Sequence, residues 1–338
     1  MKNKKNFFIL KTIFFLLGST LLLFLAVLSI YIFAYEIAPL ESSYGYYFDE
    51  SLNFDLKEYT QEVAVSDESK ILILTDIHFY GTGDYKSQRY LTNTITKQSP
   101  ELIIIVGDSC FTPLNYQAYQ ELIKFFDSFK IPWAPIFGNH DNFGPASKKV
   151  LSDLLERSTY CLYQYGPNNF QGAGNYVLNI SVAKEIKHSL ILMDSHTEAI
   201  SANPGLEPLQ VMWYAWIIHG LQSQVNPDII SSLFVHVPIN EYNDAWQWGT
   251  HLYGDKGEAS CVPAVNSGIF EVIKSLGSTK NIISGHDHYN NFIVNYQGID
   301  FIYATKSAYG SYYDTSVMGC LVFTLNSQNN FNKTGFLY

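Results

Sequence analysis

Two imidazoles leave the chain one residue apart in Gly285-His286-Asp287-His288, and acid and imidazole side chains recur upstream in four further short groups. These are Asp76-Ile77-His78, Gly107-Asp108, Gly138-Asn139-His140-Asp141 and Val235-His236-Val237-Pro238. Carboxylate, amide and imidazole donors without thiolate suit a manganese, iron or zinc site. In extended chain, residues i and i+2 point to one face. Asp76 and His78 can therefore reach one cation together, and His286 and His288 can serve two neighbouring ones. Gly107 permits a sharp turn, after which the two oxygens of Asp108 can bridge a pair of metals. Asn139 offers a neutral carbonyl oxygen. His140 is placed to donate a proton, and Asp141 can accept a hydrogen bond from that ring and keep it charged. Taken singly, each group has a plainer reading: a polar loop, a helix N-cap, a satisfied core histidine. Their joint occurrence in this order makes the case.

Every one of these groups follows an expected strand. Ile71–Leu74, Leu102–Val106 and Pro132–Phe137 are short apolar runs, as strands buried on both faces should be. Later strands are expected at Ser189–Met193, Leu233–Val237, Asn281–Ser284, Phe301–Ala304 and Cys320–Leu325, with helices near Ser87–Lys97, Tyr116–Lys130, Leu209–Leu221 and Ser267–Leu276. Strands alternating with helices imply a layered α/β domain whose chemistry sits in the loops after the strands. His196, in Asp194-Ser195-His196, also follows a strand and is expected, with Asn139, to border bound substrate. His188, His219 and His251 read as surface or helix-face residues. Trp213 and Trp216 read as core.

The 338 residues carry a formal net charge of −10, with arginine only at Arg89 and Arg157. That composition lacks the basic footprint of a nucleic-acid-binding patch. A phosphate-handling acidic protein must draw its positive charge from elsewhere, and bound metal is the obvious source. The cysteines, Cys110, Cys161, Cys261 and Cys320, form no C-x-x-C pair, which argues against a thiolate zinc site. At the N-terminus Lys2, Lys4, Lys5 and Lys11 precede an uncharged apolar run, Thr12–Tyr35, long enough to span a bilayer. The lysines place residues 1–11 in the cytoplasm and residues 12–35 as a transmembrane signal anchor. Residues 36–65 follow as a juxtamembrane stalk, and residues 66–338 form an extracytoplasmic catalytic domain. The alternative is secretion after signal cleavage.

The order Asp-x-His, Gly-Asp, Gly-Asn-His-Asp, His, Gly-His-x-His resembles the calcineurin-like metallophosphoesterase superfamily, over about Ile71 to Tyr313. The stretches around His236, Asn266-Ser267-Gly268-Ile269-Phe270 and Ser307-Ala308-Tyr309-Gly310-Ser311-Tyr312-Tyr313 look like its small purple-acid-phosphatase-like subgroup. The resemblance implies a layered fold of two central sheets flanked by helices. It also implies two metal ions, divalent or of mixed valence. The first would be held by Asp76, His78, Asp108 and His288, and the second by Asp108, Asn139, His236 and His286. A hydroxide between the metals would attack a phosphate ester, most simply a monoester, with His140 as general acid. Other readings are a phosphodiesterase or pyrophosphatase, and an inactive phosphate-binding module. True purple acid phosphatases carry a tyrosinate where this chain has Phe111, and glycine where it has His78, so no purple colour is expected.

Overall fold

The computed structural model describes residues 16–27, 45–81, 83–196, 205–325 and 331–334. The chain separates into two units, Met1–Ser43 and Tyr44–Tyr338. In the first, residues 16–27 are helical, with Leu16, Leu17, Leu21, Leu22, Leu23 and Phe24 exposed. Among the described residues no helix is long and apolar enough to cross a membrane. The rest of the expected span 12–35, and all of residues 1–11, lie outside the described residues.

The second unit is built on two mixed sheets. The larger has the strand order β1 (Gln61–Ala64), β5 (Tyr176–Val182), β6 (Glu185–Met193), β7 (Ile230–Val235), β9 (Thr279–Ser284), β11 (Ile299–Tyr303), β10 (Ile293–Tyr296), β8 (Thr250–Tyr253). The smaller runs β13 (Phe331–Thr334), β12 (Leu321–Leu325), β2 (Lys70–Leu74), β3 (Leu102–Val106), β4 (Trp133–Ile136). Within them β2, β3 and β4 run parallel, as do β6, β7, β9 and β11.

Side-chain alternation in the larger sheet sets the layers. Leu178, Ile180, Leu190, Leu192, Phe234, Ile283 and Ile302 share a core with the smaller sheet. Their neighbours Val177, Ile191, Met193, Leu233, Val235, Ile282 and Phe301 belong to a second core. That core also takes Trp213, Tyr214 and Ile217 of the helix Pro208–Gln224, and Ile269, Phe270 and Ile273 of the helix Ile269–Leu276. The smaller sheet shares its core with Leu91 and Ile95 of the helix Tyr85–Gln98 and Tyr119, Leu122 and Phe126 of the helix Asn115–Asp127. Helices thus flank two central sheets. The strands feeding the chemistry, β2, β3, β4, β7 and β9, all end buried on both faces; β2, β3 and β4 read as near-continuous apolar runs, whereas β7 and β9 carry Ser231, Ser232, Lys280 and Asn281 before their apolar ends.

Two expectations are corrected here. The stalk assigned to residues 36–65 is folded from Tyr46 onward. Tyr46 N–H donates to the Gly166 carbonyl (3.2 Å), Trp213 Nε1 donates to the Tyr46 hydroxyl (2.7 Å), and β1 pairs in parallel with β5. The cause is aromatic: Phe48, Phe54 and Tyr59 all pack edge-on against Trp216, with ring centroids 5.5, 5.2 and 5.0 Å apart. Each such contact adds about 0.5–1.5 kcal/mol to the area it buries, and the irregular spacing of these rings gives no periodic signal. His188 is also not on the surface. It is buried within β6, and its Nε2 lies 2.8 Å from Ser232 Oγ on β7.

Candidate metal centre

The loops leaving β2, β3 and β4 meet those leaving β7 and β9, so the carboxyl ends of both sheets supply one cluster. Asp76 Oδ1 lies 3.3 Å from His288 Nε2 and 3.7 Å from His78 Nε2, and those two nitrogens are 3.1 Å apart. On the other side, Asn139 Oδ1 lies 3.1 Å from His236 Nε2 and 2.9 Å from His286 Nδ1. Asp108 Oδ2 stands between the groupings, 3.6 Å from His78 Nε2 and 3.4 Å from His236 Nε2. Donors held 2.0–2.2 Å from a shared cation sit about 3.0–3.4 Å from one another, and these separations are close to that. The structure therefore brings together all seven side chains singled out as metal ligands, and Asp76 Oδ1 also lies 4.0 Å from His236 Nε2, across the two expected sets.

The cluster is also short of hydrogens. His236 Nδ1 is 2.8 Å from the Val106 carbonyl, and His288 Nδ1 is 2.8 Å from the Tyr312 carbonyl. Each of those nitrogens must carry a proton, which turns Nε2 toward the carboxylates. Asp76 Oδ1 is buried with no hydrogen-bond partner. An uncompensated set of buried acceptors of this kind is costly unless a cation or a proton sits among them. The proton preferences say the same. Burial pushes His78 and His286 down to about 4, which leaves both neutral with lone pairs to give. Burial opposes charge on His236 too, yet Asp108 and Asp76 push it up to about 10. Burial likewise opposes ionisation of Asp76, but His236, His288 and His78 hold it well below the usual carboxylate range. The two carboxylates thus favour positive charge at His236, and a cation bound among them would take the place of that proton.

The backbone is strained to achieve this convergence. Asp76, His78, Asp108 and His286 all adopt positive φ, at 52°, 49°, 49° and 77°. Non-glycine residues reach that region rarely and at a cost of about 1–3 kcal/mol each. Close approach then demands glycine nearby: a Cβ on Gly138 would lie 2.1 Å from Asp108 Oδ1, and one on Gly107 would lie 2.4 Å from His236 Nδ1.

His140 borders the cluster without being sealed in it. Its side chain is 36% exposed, with Nε2 4.0 Å from Asp108 Oδ2, and its backbone N–H donates to Asp108 Oδ1 (2.8 Å). The Phe111 ring packs 4.2 Å from the His140 ring and 5.6 Å from that of His78. The position that would need a phenolate for a ferric-tyrosinate centre is thus apolar. The role expected of Asp141 is corrected. Its oxygens accept from Cys110 N–H (2.8 Å) and Gly138 N–H (2.7 Å), so it ties two ligand-bearing loops together and does not hold the His140 ring. Burial and the Asp108 charge push it up to about 7. His196 shares no hydrogen bond with the seven. Its N–H donates to Asp194 Oδ1 (3.0 Å), and it lines a separate cavity of about 220 Å³ with Asn142, Lys148 and Gln171.

The calcineurin-like phosphoesterase family model matches residues 69–290, about two thirds of the chain and all seven clustered donors. The chain belongs to this family. Among relatives, this calcineurin-like phosphoesterase is similar to the probable inactive purple acid phosphatase 28 of Arabidopsis thaliana, 25% identical over 264 residues. That match covers 70% of this chain and 66% of the plant protein. It is also similar to the phosphatase DCR2 of Saccharomyces cerevisiae, 26% identical over 271 residues, covering 69% of this chain and 46% of that one. The chain thus spans under two thirds of the one relative's length and about half of the other's. A crystal structure of a dimetal phosphatase from Danio rerio has the same fold, with a TM-score of 0.51 at 11% identity, over 77% of this chain and 94% of that one.

Sequence reasoning missed one cation. Lys306 is buried, its Nζ donating to the Asp76 carbonyl (2.6 Å), and burial pushes it down to about 8. It steadies the strained Asp76 peptide. Its only sequence trace is its place just before Ser307-Ala308-Tyr309, a stretch already tied to the fold by resemblance.

Proposed function

We propose that this calcineurin-like phosphoesterase hydrolyses phosphate esters, in the first instance phosphomonoesters, with two metal ions held by the seven clustered donors. Asp76, His78, Asp108 and His288 would hold one, and Asp108, Asn139, His236 and His286 the other. The observation that carries this reading is Asp108 Oδ2 lying within 3.6 Å of imidazole nitrogens from both sets, where a carboxylate could bridge two cations. Bound there, the pair would screen a phosphate's charge and acidify a water for attack. The chain's own residues then decide the outcome. Buried Asp76 and Asp108 fix where positive charge collects, and so where the phosphate sits. Half-exposed His140, at the mouth, hands a proton to the departing oxygen.

The two relatives differ in what their names say, one inactive and one a phosphatase. A complete donor set favours activity here. The test is a panel of mono- and diesters, with and without chelator, followed by Mn²⁺, Fe²⁺ or Zn²⁺. Monoester turnover that chelation abolishes and metal restores is expected. Preferential turnover of diesters or pyrophosphates points to the second enzyme reading. Metal uptake without any turnover points to a binding module.

We infer further that residues 12–35 anchor the protein, with the catalytic unit outside the cytoplasm. The uncharged run between Lys11 and Glu36 supports this, as do the exposed leucines of residues 16–27. Alkaline carbonate extraction of membranes should leave the full-length chain in the pellet. Recovery of a shortened chain in the soluble fraction would favour secretion instead.

A further inference from the structure

One more set of ligating side chains converges beside the centre. A Cys261 sulfur, a His286 ring nitrogen and an Asp287 carboxylate oxygen all lie within 4.8 Å of one another. Cys261 is the exposed cysteine of the four, on the loop between β8 and the helix Ile269–Leu276. Its backbone N–H donates to both Asp287 oxygens, at 3.3 and 3.1 Å, so that loop is pinned over the carboxylate. Asp287 is buried, and its Oδ2 also accepts from the Tyr303 hydroxyl (2.5 Å). The carboxylate is thereby fixed while the thiol above it can still be reached from solvent. The seven donors of the centre are all nitrogen or oxygen. Cys261 brings the one soft donor, and soft thiolate shifts a site's preference toward zinc and its heavier relatives.

We propose that Cys261, His286 and Asp287 form an inhibitory site for a soft divalent cation, zinc or cadmium, that shares His286 with the centre. His286 is the hinge of the idea. Its Nδ1 lies 2.9 Å from Asn139 Oδ1, within the second set of the centre, so the cation at Cys261 and the one beside Asn139 compete for a single ring. The inhibition rests on the function proposed above, but the binding does not. No oxidant is needed: the sulfur–metal bond forms as the thiol proton leaves for solvent. Burial and the charges of Asp287 and Glu258 raise the thiol's pKa, keeping it protonated until a cation takes the proton's place.

The test titrates the full chain with Cd²⁺ and reads the ultraviolet charge-transfer band of cadmium bound to thiolate. One equivalent of band is expected, absent from Cys261→Ser and weakened by about tenfold or more in affinity in His286→Asn. In parallel, the Zn²⁺ concentration that halves phosphate-ester turnover should rise by about tenfold or more in Cys261→Ser. Absence of the band in the parent chain overturns the site. A band whose affinity His286→Asn leaves unchanged means the thiol binds alone, and overturns the triad. Unaltered zinc sensitivity in Cys261→Ser overturns the inhibitory role. A chain with no ester turnover still yields the cadmium result, so failure of the enzymatic reading is told apart from failure of this one.

Discussion

Replacing Asp108 with asparagine is expected to lower phosphate-ester turnover by about a thousandfold or more, equivalent to roughly 4 kcal/mol of lost transition-state stabilisation. The cause lies in which oxygen is free. Asp108 Oδ1 is already engaged by the His140 N–H (2.8 Å), so Oδ2 alone faces His78 on one side and His236 on the other. An asparagine keeping the Oδ1 bond must turn its NH₂ toward those two imidazole nitrogens. It would donate hydrogen bonds where a carboxylate would share an electron pair between two cations. A second, less obvious result follows. The metal-free variant should also be less stable than the metal-free parent, because it removes the carboxylate that holds a proton on buried His236. Elemental analysis should find less metal per chain, and thermal unfolding should show that the stabilisation added metal gives the parent is lost. A variant that keeps full metal content and turnover would mean that Asp108 does not bridge.

The parts of this centre legible in the sequence are those where a buried strand hands directly to a polar loop. Ile71–Leu74 and Leu102–Val106 are apolar runs ending two residues before Asp76 and Asp108, so strand, turn and donor appear as one local pattern. His236 and His286 follow β7 and β9 in the same way. What sequence could not yield is the angle of exit. Positive φ at Asp76, His78, Asp108 and His286 accompanies contacts remote in sequence: Lys306 Nζ on the Asp76 carbonyl, His286 N–H on Asp76 Oδ2 (3.0 Å) and His78 N–H on the Asp108 carbonyl (2.9 Å). Asp141 misled for a related reason. It adjoins His140 in sequence, but its oxygens serve backbone N–H groups of two loops. The edge strands β1 and β8, and β10 beside β8, escaped because they are only four residues each, and β8 is exposed throughout.

His140→Ala should separate proton donation from metal binding. His140 touches Asp108 through its backbone N–H, which alanine retains, while its ring stands 4.0 Å from Asp108 Oδ2 and is over a third exposed. Loss of the ring therefore leaves the seven donors and their hydrogen bonds in place, and metal content should not change. General acid catalysis contributes about 10²–10⁴ in rate, and its value scales with how badly the departing oxygen needs a proton. Alkyl phosphates, whose alkoxides leave poorly, should lose turnover by about that factor. A nitrophenyl ester, whose phenolate leaves without help, should lose much less. Phe111 sharpens the contrast: packed 4.2 Å from the His140 ring, it brings no hydroxyl and cannot stand in as donor. An equal loss on both classes of ester, with metal content intact, would show that His140 binds the phosphate in ground and transition state alike, and the proton donor would have to be sought elsewhere.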